Sequence, residues 1–155
     1  MNALDFSGQF REALSRWASG VTVVAVRLSA DEVKAATATA FCSVSLEPPL
    51  VLVSLSHASR TLEAASLVRR FTVNLLASTQ EEHSRKYGSP IEPPQAPFVG
   101  EASIDGALAS IVCTVHELHP AGDHTLVIGR VESISLGEQP DEPLLYFKRN
   151  YRALR

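Results

Sequence analysis

The sequence predicts a mainly β fold, an antiparallel barrel with peripheral helices. Runs rich in Val and Thr outnumber helical patterns, and several of these runs adjoin through short turns. Strands and helices do not alternate regularly, as they would in a doubly wound parallel sheet. The length of 155 residues suits one domain with one core, and we expect a single domain over residues 1–155.

The chain begins with a helical pattern that leads into three strand-like runs. Apolar residues recur at helical spacing between Phe6 and Trp17; Asp5 or Ser7 can cap this helix, and Gly20 suits its end. The three predicted strands are, in order, residues 21–28, 34–46 and 50–56. A polar turn separates the first two, and two prolines, which cannot donate to a strand ladder, end the second.

Two helices flank a fourth predicted strand over residues 71–76. Ser59 can cap the shorter helix. Ser78 and Glu81 have the S-x-x-E spacing of a capping box, which predicts the start of a further helix that ends at Gly88.

After Gly88, the sequence predicts a loop, a long hairpin and a last short strand. Four prolines within residues 89–100 are too many for a helix or a central strand, so we expect a surface loop. Residues 107–118 and 125–136 are long strand candidates joined by a turn over 119–123, and residues 143–147 predict a last short strand.

Composition and charge exclude several classes of function. Hydrophobic residues make up 45% of the chain and charged residues 20%, as in globular proteins. The net charge of −3 gives no general attraction to nucleic acid or to anionic lipid. No apolar run approaches the ~20 residues that span a bilayer. We therefore expect a cytoplasmic protein with neither nucleic acid nor membrane as a partner.

Several catalytic and metal motifs are absent from the sequence. The eight glycines form no G-x-G, G-x-S-x-G or Walker-type loop, which argues against dinucleotide-binding, hydrolase and P-loop folds. Cys42 and Cys113 lie in apolar runs without C-x-x-C spacing, so we expect buried thiols. His116 and His119 would point to opposite faces of a strand, so we expect no metal site.

Two segments carry the chemistry of a ligand site. Residues 37–45 combine small side chains, which let a flat ring approach backbone amides, with hydroxyls for directional hydrogen bonds. Residues 59–61, Ser-Arg-Thr, stand at a helix start, where free N–H groups and a guanidinium suit an anion. The alternatives are an exposed Thr-rich strand for the first segment and simple helix capping for the second.

Motifs along nearly the whole chain resemble those of the flavin reductase-like family. In order, they are Phe10-Arg with Ala18-Ser-Gly-Val-Thr-Val-Val24, Phe41-x-Ser-Val-Ser-Leu-Glu-Pro-Pro-Leu-Val-Leu-Val53, Ser59-Arg-Thr61, Arg70-Phe-x-Val-Asn74, Ala121-Gly-Asp-His124-x-x-x-x-Gly129-x-Val131 and Pro143-Leu-Leu-Tyr-Phe-x-x-x-Tyr151. The resemblance implies a split β-barrel, an antiparallel Greek-key barrel with flanking helices. It also implies a homodimer with FMN or FAD near the subunit interface, reduced by NADH or NADPH, that supplies reduced flavin to a partner monooxygenase.

The resemblance also implies roles for single residues. Those along the isoalloxazine and upper ribityl chain would be Thr37, Ala38, Thr39, Ser43 and Ser45. Those at the flavin phosphate would be Ser59, Arg60 and Thr61. His124 and Tyr151 would face the nicotinamide, with an ordinary turn histidine and a surface or core tyrosine as the alternatives.

Two further cofactor candidates have structural alternatives. Asn74 stands where the family has a similar Asn, but it could equally serve as a hydrogen-bonding residue at a strand end. Lys86, with Arg85, could reach a phosphate or simply finish a solvated helix. No side chain has to act as acid or base in hydride transfer, so we expect no catalytic residue.

Two departures from the family pattern leave other functions open. The family commonly has Gly-Met-Thr-Ala-Asn-Ser where this chain has residues 35–40, Ala-Ala-Thr-Ala-Thr-Ala, so the Thr39 hydroxyl replaces an amide. The segment between Gly88 and Ala107 is shorter and richer in proline than usual. The alternatives are a flavin-binding electron carrier without turnover and a flavoenzyme that keeps its flavin and acts directly on an organic substrate.

Overall fold

The strands form three antiparallel sheets in the computed structural model, which describes residues 5–91, 98–138 and 141–154. The strands of these ranges are β1 (Ser19–Gly20), β2 (Thr22–Arg27), β3 (Val33–Ala38), β4 (Phe41–Ser45), β5 (Leu50–Ser56), β6 (Arg70–Leu75), β7 (Phe98–Val99), β8 (Ser103–Ile104), β9 (Ala109–Ala121), β10 (His124–Leu136), β11 (Leu145–Phe147) and β12 (Asn150–Arg152). The helices are α1 (Phe6–Ser15), α2 (Arg60–Val68) and α3 (Glu81–Tyr87), and a 3₁₀ turn (Ser78–Gln80) leads into α3.

The main sheet has seven strands in the order β3-β2-β6-β9-β10-β5-β4. Its two edge strands, β3 and β4, are consecutive in the chain and are separated only by Thr39 and Ala40. The sheet therefore has to curl until its edges meet, and the Ser54 N–H of β5 donates to the carbonyl of Ala40 in this link at 3.0 Å. This confirms the predicted split barrel. The single strand predicted over residues 34–46 is wrong, because the chain changes edges in its middle.

Two apolar clusters share β2, which is buried on both faces. Val24 and Val26 belong to the cluster inside the curled sheet, where side chains of β5, β6, β9 and β10 meet residues of α2. Val21 and Val23 belong to a second cluster on the outer face, beneath α3 and the C-terminal strands. Side chains alternate between the two faces of a strand, so even-numbered residues of β2 and β3 face inward and odd-numbered ones face outward.

The helix starts agree with the predictions in two cases out of three. Asp5 caps α1, accepting from the Gly8 N–H at 2.7 Å, and Ser59 caps α2, accepting from the Leu62 N–H at 3.3 Å. The predicted capping box of Ser78 and Glu81 is wrong. The side-chain oxygen of Gln80 accepts instead from the Ala77 N–H at 3.0 Å, because a 3₁₀ turn precedes α3. α3 ends at Gly88, as predicted.

The apolar face of α1 is uncovered in the single chain. Its large residues keep much of their surface exposed: Phe6 84%, Phe10 60%, Leu14 51% and the following Trp17 76%. α1 stops at Ser15, before Gly20, which joins the short strand β1 instead. Within the described ranges, no helix combines the length and the apolar character needed to cross a bilayer.

β9 and β10 form the long hairpin that the sequence predicts, with a tighter turn. The strands extend to Ala121 and from His124, so the turn is only Gly122 and Asp123, and Gly122 has a φ of +63°. The predicted proline-rich loop is confirmed over residues 89–91, its residues 92–97 lie outside the described residues, and at its end Phe98 and Val99 form β7 instead. β7 pairs with β8, and Arg27 donates to the carbonyls of Phe98 and Gly100.

The two cysteines are both free thiols, but they differ in environment. Cys113 is fully buried inside the barrel, and burial raises the pKa of its thiol to about 12. Cys42 is exposed, so its predicted burial is wrong. The reason is its place on β4, an edge strand.

Gly129 is required by the packing of the barrel interior. A Cβ at this position would lie 2.9 Å from Cβ of Cys113 and closer still to the Phe71 ring. A register shift between Ile128 and Gly129 brings the β10 backbone against these side chains. The aromatic ring thus occupies the space that a side chain would need.

We predict that Gly129→Ala lowers the free energy of unfolding by about 1–3 kcal/mol, because the extra methyl forces Phe71 out of its place. Gly20→Ala is the matched control, since a Cβ there meets no atom within 4 Å. Urea unfolding followed by circular dichroism measures both. Equal midpoints for the wild type and Gly129→Ala would contradict the prediction.

Candidate functional site

The seam between β3 and β4 is the centre of the candidate site. Thr39, at the break between the two strands, lines three neighbouring cavities of about 360, 450 and 360 Å³. Thr39 is exposed, and its carbonyl accepts from the Phe41 N–H at 3.0 Å. The predicted ligand segment therefore lies where the barrel closes and where concave surface is available.

One of the three cavities, here called the polar cavity, lies between β3, α3 and the C-terminal strands. Its volume is about 360 Å³, and its lining residues are Val21, Thr37, Thr39, Ser84, Arg85, Gly88, Ser89, Tyr146 and Tyr151. Thr37 Oγ1 donates to the Ser84 carbonyl at 2.7 Å. Thr37 can therefore offer a ligand its oxygen lone pairs but not its proton.

Tyr151 forms one wall of the polar cavity. Its hydroxyl lies 2.7 Å from Ser84 Oγ, and its ring meets that of Tyr146 edge to face at 5.3 Å between centroids. The Arg85 guanidinium lies 4.8 Å from the centre of the Tyr151 ring. Arg85 also donates twice to Glu81, at 2.9 and 2.6 Å, and this hydrogen bonding raises the pKa of Arg85.

A second cavity, here called the apolar cavity, opens on the other side of Thr39. It measures about 450 Å³, and its lining includes Leu14, Trp17, Phe41, Cys42, Leu52 and Tyr146. Aliphatic and aromatic walls of this kind suit a flat ring or an apolar side chain. The two named cavities have Thr39 and Tyr146 in common.

The remaining small residues of the predicted flavin segment lie on both sides of the seam. Ala38 is 8% exposed and faces the barrel interior, so only its backbone can meet a ligand. Ser43 is exposed and Ser45 half-buried on β4, with an irregularity in the strand register between them. Thr37 and Thr39 thus share the polar cavity, whereas the two serines line none of the three cavities at the seam.

At the predicted phosphate site, Arg60 is the accessible side chain. It is exposed at the first position of α2, directly after the Ser59 cap. Thr61 is 2% exposed, so its side chain is turned into the protein. The Ser59 hydroxyl already accepts the Leu62 N–H, and its own proton is the part that it can offer to an anion.

His124, the first residue of β10, lies next to the end of β5 that leads into α2. It pairs with Ser56, three residues before Ser59, and its Nδ1 is 2.7 Å from Oδ1 of Asp123. This hydrogen bond lowers the pKa of the Asp123 carboxyl. The structure places His124 beside the predicted phosphate segment, whereas Tyr151 lies beside α3.

Asn74 belongs to the scaffold, which corrects its assignment as a cofactor residue. It is completely buried; its amide donates to the carbonyls of Val23 and Ala102, and its oxygen accepts from the Ile104 N–H and from Ser110 Oγ. Every hydrogen-bonding position of the side chain is used within the protein.

Lys86 occupies the last turn of α3, as predicted. Its Nζ lies 5.7 Å from the ring centre of Tyr87, and the residue is half-buried. This position fits the alternative of a solvated helix end as well as it fits a phosphate contact.

His116 and His119 do not follow the simple strand geometry that the sequence predicts for them. His116 is the extra residue of a bulge in β9, so the simple alternation of faces is broken. Both imidazoles approach Glu117, with Nε2 to carboxylate distances of 3.7 Å for His116 and 2.5 Å for His119. Among the residues that the structure describes, no group of three or more His, Cys, Asp or Glu side chains could hold a metal ion.

Ser84 and Tyr146 are site residues that sequence reasoning missed. Ser84 is a lone serine inside a polar helix, and no local pattern distinguishes it. Tyr146 lies within the C-terminal motif, but its contact with both cavities depends on how β11 pairs with β1 and β12.

Comparison with known proteins identifies the family. The model of the flavin reductase like domain matches residues 14–155. The chain belongs to the flavin reductase-like family. Like other members of this family, it carries the split barrel, as the solved structures show: flavin reductase PheA2 in its native state superposes with a TM-score of 0.87 at 38% identity, over 98% of this chain and 99% of that one.

Curated members of the flavin reductase-like family align over almost all of this chain. The reductase component of 4-hydroxyphenylacetate 3-monooxygenase from Thermus thermophilus is 46% identical, covering 94% of this chain and 95% of the relative. An NADH-dependent flavin reductase from Rhodococcus sp. is 41% identical, covering 93% and 84%.

Proposed function

We propose that this chain is an oxidoreductase that transfers hydride from NADH or NADPH to FMN or FAD. The observation that carries the proposal is the seam of a flavin reductase-like barrel, where Thr39 lines three adjoining cavities with hydroxyl and aromatic walls. The bound flavin and nicotinamide supply the hydride chemistry. The residues of the chain bind the two rings, orient them and exclude water.

The relatives support a role in a two-component system. One is named as the reductase component of a monooxygenase and another as an NADH-dependent flavin reductase. We therefore propose that this chain uses NADH and delivers reduced flavin to a partner monooxygenase by diffusion. The proposal covers both FMN and FAD.

We propose that the flavin phosphate binds at the start of α2. This helix has nine residues and the exposed Arg60 at its first position, where the positive end of the helix dipole favours an anion. Arg60 supplies the charge and Ser59 a hydroxyl proton, while Thr61 contributes through its backbone.

We propose that the flavin ring follows the segment from Thr37 to Ser45 across the seam. Thr39 and the hydroxyls of Thr37 and Ser43 are the polar groups there, and Ala38 lets the ring approach the backbone. We propose that His124 and Tyr151 contact the nicotinamide.

We propose that the functional unit is a homodimer. In the single chain, the apolar face of α1 is uncovered, and on or just after β4 Val44 is 50% and Leu46 85% exposed. Exposed apolar residues that form a contiguous patch mark surfaces that bury against a partner. A second copy would cover both α1 and the apolar cavity beside it, and would bring the flavin close to the interface.

Two further proposals concern the chain as a whole. We propose one domain over residues 1–155, because the family match spans almost all of it and the two apolar clusters share β2. We propose a cytoplasmic location, which the two free thiols and the use of NADH support.

The first test is NADH oxidation with and without added flavin. We predict rapid oxidation that depends on the concentration of free FMN or FAD, because the reduced flavin leaves the site after each turnover. Absorbance at the NADH band measures it. Flavin binding without oxidation would indicate an electron carrier, and turnover of a tightly retained flavin with an organic acceptor would indicate a direct flavoenzyme; either result would contradict the proposal.

Substitutions of Arg60 and His124 test, in parallel, the flavin assignment of the first residue and the nicotinamide assignment of the second. We predict that Arg60→Ala weakens flavin binding about ten- to a hundredfold, the effect of losing a charged hydrogen bond to phosphate. His124→Ala should instead raise the KM for NADH and leave flavin affinity nearly unchanged. Flavin titration and stopped-flow reduction measure the two effects.

Arg70→Ala is the charge-matched control for this test, because Arg70 lies beyond the opposite end of α2 and pairs with Glu101 at 3.0 Å. It should leave both quantities unchanged. A loss of flavin binding in His124→Ala, or none in Arg60→Ala, would show that the ligands are wrongly assigned.

For the dimer, we predict a sedimenting mass of about twice the 16.7 kDa of one chain. Phe10→Glu should produce a folded monomer with weakened flavin binding, because it places a charge on the uncovered face of α1. Leu67→Glu is the control, since Leu67 is 78% exposed on α2. A fully active monomeric wild type would rule the dimer out.

A further inference from the structure

Ser84 is hydrogen-bonded to both walls of the polar cavity. Its side-chain oxygen lies 2.7 Å from the Tyr151 hydroxyl on β12. Its carbonyl accepts from Thr37 Oγ1 on β3 at 2.7 Å and from the Gly88 N–H at 3.0 Å. Ser84 itself is 1% exposed. One buried residue of α3 therefore links the strand that borders the seam with the aromatic wall opposite.

The Tyr151 ring depends on side-chain contacts for its orientation. β12 has only three residues and pairs with the equally short β11, so its backbone is held by few hydrogen bonds. Three contacts fix the ring: Ser84 at its hydroxyl, Tyr146 in a T-shaped ring contact and the Arg85 guanidinium over one face. A second ring can stack only on the face that Arg85 leaves uncovered.

We propose that Ser84 is a positioning residue of the reductase reaction. It holds the Tyr151 ring at a fixed distance from Thr37, and this spacing sets how well the nicotinamide ring binds against Tyr151. The inference depends on the proposed function and adds a residue to it. Ser84 need not touch either ligand, because it acts through Tyr151.

Replacing Ser84 by alanine changes the orientation of Tyr151 without removing α3. The substitution deletes one oxygen from a helix interior, and alanine favours a helix more than serine does. Tyr151 is only half-buried, so water can take over the hydrogen bond of its hydroxyl. The ring is then free to leave the position that the serine imposes.

The test is a double-mutant cycle of Ser84→Ala and Tyr151→Phe, with NADH and flavin varied separately. Each single variant should raise the KM for NADH about three- to tenfold, as expected for the loss of one neutral hydrogen bond. The kcat and the flavin affinity should change little. The double variant should be no worse than the poorer single one, because both changes remove the same contact.

Ser110→Ala is the matched control, because Ser110 is 5% exposed and its hydroxyl donates to the buried Asn74. It should lower the unfolding midpoint and leave the KM for NADH unchanged. Tyr151→Phe removes the same hydrogen bond between Ser84 and Tyr151 from its other partner. The test therefore stays valid if Ser84→Ala fails to fold.

Three results would overturn the proposal. They are an unchanged KM in both single variants, effects that multiply in the double variant, and equal losses of NADH and flavin affinity. If the wild type turns over NADH with added flavin and the variants give any of these results, only the proposed role of Ser84 is refuted. A wild type without flavin-dependent NADH oxidation refutes the proposed function and, with it, this inference.

Discussion

The two-residue link between β3 and β4 is the constraint on which the rest of the structure depends. These strands lie at opposite edges of a seven-stranded sheet, yet only Thr39 and Ala40 separate them in the chain. Such a short link cannot cross an open sheet, so the sheet has to curl. The interior cluster follows from this closure, since it contains side chains from both halves of the sheet together with α2. The candidate site lies at the seam because the hydrogen-bonded ladder is interrupted there.

Because side chains alternate along β2 and β3, one face of these strands belongs to the core and the other faces the candidate site. Ala38 points inward and completes the core, while its neighbour Thr37 points outward to α3. Asn74 serves the same outer face from β6, where two of its hydrogen bonds hold the segment that contains β8 and two hold β2 and β9. A slip of one residue in β3 would exchange the buried and ligand-facing sets, so the apolar core also fixes the register of the site.

The sequence predicts well what depends on local chemistry. Ser59 caps α2 because its oxygen meets an N–H three residues later, and residues 50–56 form a strand because Val and Leu suit one. Prediction from the sequence fails for features that depend on contacts with distant parts of the chain. The break at Thr39 follows from closure, since threonine and alanine would both continue a strand. The bulge at His116, the exposure of Cys42 and the hydrogen bonds of Ser84 likewise depend on neighbours from other elements. The family resemblance supplied the ligand assignments, of which Asn74 turned out to be structural.

The burial of Cys113 affects how sensitive a flavin-reducing protein would be to oxidation by the peroxide that reduced flavin generates. Reduced flavin reacts with dioxygen and generates peroxide, which oxidises cysteine through the thiolate rather than the thiol. Inside the barrel, the pKa of about 12 keeps Cys113 protonated at any physiological pH, and its complete burial denies peroxide a path. Oxidative damage to cysteine would therefore fall on Cys42 at the edge strand, and the packing around Gly129 would be spared.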